Sequence, residues 1–256
     1  MQRFWVNIDG LIEELCVPAD AEELMPGVRW GAPDHLFTPA FWKYQCEVQR
    51  RRQRYTWHRI GDNLLEEIAA CLLGGFGIPA EMGMMAFARL KHHAMLLGTA
   101  PEAELRDLLS SPFRVGGRER RYRFATQKAA YLSRSLAIAK EVDVTLPAPH
   151  LRDVLASLPG IGLKTASWIV RNHLDSDEVA IIDVHLHRAC VMMGVFEPRS
   201  QPGRDYLKLE GRFLNFSRAM ETRASVLDAI IWDYMRRIGP TARGSKASPQ
   251  QLQLAF

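Results

Sequence analysis

The stretch Leu158-Pro159-Gly160-Ile161-Gly162-Leu163-Lys164 lies between two helical periodicities and restricts how they can be joined. Upstream, Leu151, Val154, Leu155 and Leu158 fall on one helical face, and downstream Ala166, Ile169 and Val170 do the same. Pro159 ends the first helix. Gly160 and Gly162 let the backbone take positive φ, or let another molecule approach without a Cβ in the way. A turn of this kind leaves unpaired N–H groups at the start of the next helix, at the positive end of its dipole, and so makes an anion site for which DNA phosphate is the obvious ligand. On those residues alone an ordinary interhelical turn is an equal reading.

Lys164 falls in the first turn of the second helix and projects toward whatever the turn docks. A solvated lysine that binds phosphate is its bland reading. Further along, Val179-Ala-Ile-Ile182 reads as a strand-like run and Val184 to Met193 as an amphipathic helix, with Asp183 between them as an N-cap. An aspartate that caps a helix at a cleft edge can also present its carboxylate to a substrate.

The pair Leu158-Pro-Gly-Ile-Gly-x-Lys164 and Asp183-Val-His185 resembles the helix-hairpin-helix glycosylases that excise damaged or modified bases from DNA, in their bifunctional branch. Within that superfamily the sequence is most similar to the 8-oxoguanine glycosylase/AP lyases. The likeness is dense from Leu151 to Val195 and extends more loosely from about Trp57 to Ile238.

The resemblance implies an all-α fold, with two helical subdomains flanking a DNA-binding cleft. It makes Lys164 the nucleophile, Asp183 the family aspartate and His185 a phosphate contact, and it gives Trp232 a place in the base pocket. It also implies a monovalent cation, K+ or Na+, held by the carbonyls of Ala156, Leu158 and Ile161, with no cofactor required. Two further pocket candidates come from helical spacing alone. Trp168 and Asn172 share the face of Lys164, where Trp168 could stack on an extruded base and Asn172 could reach its edge; core packing and helix capping are their ordinary alternatives.

Composition agrees with this reading. A chain of 256 residues with 47% hydrophobic content and no run long enough to span a bilayer is expected to be soluble and globular. Met1 to Asp9 has no signal-peptide pattern, so an intracellular location with the DNA is expected. A net charge of +4 and a pI near 9.0 suit a polyanionic partner, here duplex DNA carrying a damaged base and met by a monomer. Basic residues cluster at Arg50 to Arg54 and at Arg118 to Arg123. Arg120, Arg121 and Arg123 are candidate DNA contacts, and a solvated run between helices is the alternative. Cys16, Cys46, Cys71 and Cys190 are too dispersed for a zinc or iron–sulfur site, and the tail Gly239 to Phe256 has none. The cysteines are expected to be reduced, and the protein colourless.

Residues 1–57 read as an aromatic-rich, less regular extension packed on a glycosylase domain at 58–238, followed by a loose polar tail at 239–256. Periodicity predicts helices at Asp62–Leu73, Glu81–Leu97, Pro101–Leu109, Gln127–Glu141 and Ala224–Ile238. The methionines of the second are expected in the core, and Val226, Leu227, Ile230, Ile231 and Tyr234 of the last are expected to face inward. Gly74-Gly-Phe-Gly-Ile-Pro79 separates the first two. Two other functions stay open: a DNA-binding module without chemistry, against which a carboxylate near the anion site argues, and a glycosylase for a different modified base.

Overall fold

The computed structural model describes residues 1–52, 59–75 and 77–238. Two β-hairpins come first, β1 (Gln2–Ile8) with β2 (Leu11–Val17) and β3 (Glu23–Met25) with β4 (Val28–Arg29), both antiparallel. Asp9 and Gly10 close the first at φ 52° and 93°, the two-residue turn whose twist matches that of the strands. The chain continues through α1 (Pro39–Arg51), α2 (Leu64–Leu73), α3 (Ala80–His92) and α4 (Glu102–Ser110). A third hairpin follows, β5 (Phe113–Val115) with β6 (Arg118–Arg120), and then α5 (Ala125–Ala139) and α6 (Ala148–Ala156). The last helices are α7 (Leu163–Leu174), α8 (Val184–Met192), α9 (Pro202–Ala219) and α10 (Ala224–Ile238). Among the described residues the fold is thus all-α, with ten helices and three small two-stranded sheets. None of those helices is long and apolar enough to cross a membrane.

The chain forms two compact units, Met1–Thr56 with Ala180–Phe256, and Trp57–Val179. The first division between these units falls between Thr56 and Trp57. A second, between Val179 and Ala180, falls inside the 58–238 segment that the sequence treats as one domain, and the N-terminal segment shares a unit with α8, α9 and α10. The tail 239–256 lies outside the described residues, as does Phe76.

In the Trp57–Val179 unit α2 is the central element. The sequence predicts an amphipathic helix from Asp62, but α2 starts at Leu64 because Asn63 caps it, its Oδ1 accepting the Glu66 N–H at 3.0 Å. It is then buried on almost every side, with α3, α5 and α7 packed on it. Leu90, Leu105, Leu109, Leu132, Leu136, Leu151, Leu155 and Ile169 fill the core around it. Buried Glu67 accepts from the Ile60 and Gly61 N–H groups at 2.9 and 2.8 Å and from the Asn172 amide at 2.8 Å, which satisfies a carboxylate that would otherwise be costly there.

Other elements shift modestly from expectation. α3 stops at His92, α4 takes Pro101 as its N-cap rather than its first residue, and α5 runs two residues earlier. Met82 is buried but Met84 is exposed, and Val154 also faces outward while Leu151 and Leu155 point in.

In the other unit β1 and β2 lay Val6, Ile8 and Leu15 over Val48 of α1. Phe37, Phe41 and Trp42 form an aromatic cluster with Tyr234 of α10. α10 has the expected bounds, but its buried face is Leu227, Asp228, Ile231 and Met235. Val226, Ile230 and Tyr234 are only half-buried, because α10 packs between α1 and α8 and the inward face is set by both.

His173 of α7 has a buried Nδ1 with no hydrogen-bond partner among the described residues, and burial, reinforced by the charge of Arg59, holds its pKa below the ordinary 6.5. The folded state therefore refuses a proton that the unfolded chain accepts, so stability is full above that value and declines as pH falls below it. Thermal melts between about pH 7 and about pH 5 should show this decline, and His173→Gln should reduce it. Equal pH slopes for the two proteins would show that this imidazole is not responsible.

Candidate active site

The turn between α6 and α7 is held from outside. The Pro159 carbonyl accepts the Ser135 hydroxyl of α5 at 2.8 Å. Gly160 sits at φ 77°, and a Cβ there would come within 2.3 to 2.9 Å of the Tyr131 ring, also on α5. Tyr131 and Ser135 are one helical turn apart, so a single face of α5 seats the turn. Gly162 differs from expectation: its φ is −99°, an ordinary extended conformation, and a Cβ there would meet nothing within 4 Å. It leaves open space at the N-cap of α7, where no side chain caps the helix.

Lys164, the second residue of α7, is exposed. Its charge is felt at the buried Cys71 thiol, which burial and Glu67 push well above its usual pKa against the opposing charges of Arg171 and Lys164. Trp168, one turn on, is half-buried, and its ring tip lies 3.5 Å from where a Cβ on Gly74 would stand, at the end of α2. Asn172 is a correction. It is 1% exposed, its Nδ2 donates to Glu67 and its Oδ1 accepts from Arg171 at 3.0 Å, so its amide is taken up inside this unit rather than offered to a base edge. Nor does it cap the helix, since Asp175 does so at φ 50°.

Asp183 is the N-cap of α8, as its position predicts. Its Oδ1 accepts the N–H groups of His185 and Leu186 at 2.9 and 2.8 Å, and it is 8% exposed. The run before it forms no strand. Its N–H groups go instead to side chains of α9 and α10: Ala180 to Glu210 at 3.1 Å, Ile181 to Asp228 at 3.4 Å, and Ile182 to the Tyr206 hydroxyl at 3.3 Å. Tyr206 in turn donates to the Ala180 carbonyl at 2.8 Å. These buried polar residues fix where Asp183 begins its helix, and no local pattern marks them.

His185 is half-buried, and its buried Nδ1 has no hydrogen-bond partner among the described residues. Trp232 is 43% exposed, with the Arg236 guanidinium 4.7 Å from its ring centre. The turn, Lys164, Trp168 and Asn172 thus belong to the Trp57–Val179 unit; Asp183, His185 and Trp232 belong to the other.

The two arginine clusters part company. Arg50 pairs with Glu47 at 2.8 Å, Arg51 pairs with Glu13, and Arg52 donates to the Asn7 carbonyl at 3.2 Å; Gln53 and Arg54 lie outside the described residues. Arg118 to Arg123 is not a run between helices but forms β6 and its exit, where Arg120, Arg121 and Arg123 are exposed and Tyr122 is buried. The four cysteines are all free, Cys16 exposed and the other three buried.

The described residues thus give a helical fold in which a glycine-lined turn without a side-chain cap precedes an exposed lysine, and a carboxylate caps a second helix. The family model described as 8-oxoguanine DNA glycosylase (Ogg-HhH) matches residues 48–222, well over half the chain, and the chain belongs to that family: it is an enzyme, a DNA glycosylase. Among solved structures it is similar to the 8-oxoguanine DNA glycosylase of Methanocaldococcus jannaschii at 25% identity, with a TM-score of 0.58, covering 80% of this chain and 97% of that one. A structure of the glycosylase/lyase of the same organism, in complex with a 15mer DNA containing 8-oxoguanine, matches at 27% identity with a TM-score of 0.52, over 68% of this chain and 80% of that one. The 8-oxoguanine DNA glycosylase of Thermotoga maritima matches at 24% identity with a TM-score of 0.53, over 67% and 78% of the two chains, a likeness of fold.

The geometry of the two glycines separates their roles. Gly160→Ala should destabilise the protein by about 2 kcal/mol or more, through the left-handed backbone and the clash with Tyr131. Gly162→Ala should stay within about 0.5 kcal/mol of wild type, because its Cβ would enter open space. Denaturant unfolding of both variants checks this, and equal losses would overturn it.

Proposed function

We propose that this glycosylase removes an oxidised purine such as 8-oxoguanine from duplex DNA and then cleaves the strand through a lysine imine. The observation that carries the reading is Lys164, exposed in the first turn of a helix whose N-terminus is uncapped and glycine-lined. A base inside a duplex is shielded by stacking, so the nucleotide must first be extruded, at a cost of a few kcal/mol. The turn amides at the start of α7, with Gly162 leaving room for close approach, hold backbone phosphate, and His185 adds a phosphate contact from α8.

Lys164 Nζ, as the neutral amine, attacks C1′. The N–C1′ bond forms as the glycosidic bond breaks, and the base leaves with the electron pair and takes up a proton. The C1′–O4′ bond then opens, O4′ leaving with the electron pair and taking up a proton while the nitrogen lone pair forms the C=N bond of a protonated imine, which draws electrons from C2′. Abstraction of a C2′ proton then expels the 3′ phosphate by β-elimination. Asp183 stabilises the positive charge that develops on the sugar and helps move protons. The match to the 8-oxoguanine family supports the choice of base, and Trp168 and Trp232 are the aromatic candidates for stacking on it.

The turn also suits a monovalent cation, K+ or Na+, on the carbonyls of Ala156, Leu158 and Ile161. α6 ends at Ala156 with Ser157 as its C-cap, and the Leu158 carbonyl accepts the Ile161 N–H at 3.1 Å, which leaves its second lone pair for the ion. Such an ion would stiffen the turn, and the reaction above needs no other cofactor.

Borohydride trapping on a panel of duplexes, each with one modified base, tests chemistry and base choice together. Lys164→Gln should abolish trapping and strand cleavage while duplex affinity stays within a few-fold, since one nucleophile is lost but few phosphate contacts. Undiminished cross-linking in that variant would sink the assignment.

Asp183→Asn separates chemistry from capping, because asparagine caps helices as well as aspartate does. Its single-turnover rate should fall by about 100-fold or more, with stability changed by less than about 1 kcal/mol. A wild-type rate in the folded variant would make the residue purely structural.

A further inference from the structure

The β5–β6 hairpin is anchored at its base and its exit and carries exposed arginines. Its base is anchored by Arg89 of α3, which donates to the carbonyls of Leu108, Ser111 and Pro112 at 2.7, 2.8 and 2.7 Å and lies 3.4 Å from the ring centre of buried Phe113. Its exit is anchored by Tyr122, whose hydroxyl donates to the Leu73 carbonyl at 2.7 Å. The tip is Gly116 and Gly117, at φ 57° and 77°, where a Cβ on either would meet nothing within 4 Å. Arg114, Arg118, Arg120 and Arg121 between these anchors, and Arg123 just past the second, are all exposed, against the single carboxylate of Glu119. Among the described residues none of the five makes an ion pair, even though Arg114 stands opposite Glu119 in the ladder.

This contrasts with Arg50 and Arg51, whose guanidiniums are spent on carboxylates of the same chain. Unpaired like charges gathered on one short ribbon repel each other, and a polyanion removes that repulsion while releasing its own counterions. The ribbon feeds directly into α5, the helix that seats the α6–α7 turn through Tyr131 and Ser135. From Ala125 to Tyr131 the axis of α5 advances about 9 Å. That exceeds the ~3.4 Å between successive phosphates of one strand along a duplex axis, so the end of the ribbon and the seat of the turn are separated by more than one phosphate step.

The geometry points to a second phosphate grip: the β5–β6 hairpin holds the backbone of duplex DNA through Arg114, Arg118, Arg120, Arg121 and Arg123, at phosphates other than those met by the α6–α7 turn. This rests on the reading of duplex DNA as the partner. The grip carries no sequence or damage information, because phosphates have none to give. It supplies affinity for any duplex, the property needed by an enzyme that must scan undamaged DNA.

The test uses the full chain and an undamaged duplex, with affinity measured against salt for wild type and two triple variants. Arg114→Ala, Arg118→Ala and Arg120→Ala together should flatten the slope of log affinity against log salt by about 2 to 3, at roughly 0.9 per lost phosphate contact. The same three positions changed to lysine should keep most of the slope, since the charge remains. If the alanine line runs parallel to wild type, or the lysine variant flattens as much as the alanine one, the ribbon is not a phosphate grip. A wild type that binds duplex while the alanine line stays parallel overturns the ribbon alone. A wild type with no salt-dependent duplex binding overturns the ribbon and the partner reading beneath it.

Discussion

The contact of Gly160 with the Tyr131 ring is the constraint on which the site depends. A turn made of proline and glycine has little of its own to hold one conformation, since proline gives no N–H and glycine no side chain. Here α5 supplies the missing restraint, with a ring that leaves no room for a Cβ and a hydroxyl that fixes the Pro159 carbonyl. The direction in which α7 starts is thereby set by tertiary packing, and so is the place of Lys164 one residue inside it. α5 is itself packed against α2, so the position of an exposed lysine traces back to the most buried helix of its unit.

Buried carboxylates play the same part for the irregular segments. Glu67 collects the amides of Ile60 and Gly61 before α2 and ties them to Asn172 of α7, while Glu210 and Asp228 collect those of Ala180 and Ile181 before Asp183. Each solves two desolvation problems at once: backbone donors that no ladder satisfies, and a charge that burial would otherwise penalise. Truncating Glu67 strands the Ile60 and Gly61 N–H groups and the Asn172 amide at once, which makes it more consequential than its distance from Lys164 suggests.

What could be read from the chain divides along the same line. Pro159 and the two flanking periodicities announce the turn, and the place of Asp183 before an amphipathic run announces its cap, because these depend on neighbours within a helical turn. The β1–β2 hairpin was equally local, with Asp9-Gly10 between alternating segments, yet the aromatic content of that region masked the alternation. Val179 to Ile182 has the composition of a strand and forms none, since its hydrogen-bond partners are side chains that enter the sequence more than twenty residues later. Asn172 shares the spacing of Lys164 and Trp168 but not their surroundings: α7 is exposed at its start and buried near its end, so one face changes character along its length.

The two arginine clusters show the limit most sharply. As sequence, Arg50 to Arg54 and Arg118 to Arg123 are interchangeable, and both could be solvated faces or nucleic-acid contacts. Their difference lies in what the fold brings to them. Glu47 lies one helical turn before Arg50, and the β1–β2 hairpin delivers Glu13 to Arg51, while the β5–β6 hairpin carries one carboxylate, Glu119, and among the described residues none of its arginines makes an ion pair. A guanidinium already held by a carboxylate must lose that partner before it can bind phosphate, whereas a free one loses only water and gains relief from its like-charged neighbours. Charge available for binding is therefore a property of the folded surface, and it is the hairpin, rather than the count of arginines, that makes the second cluster the better match for a polyanion.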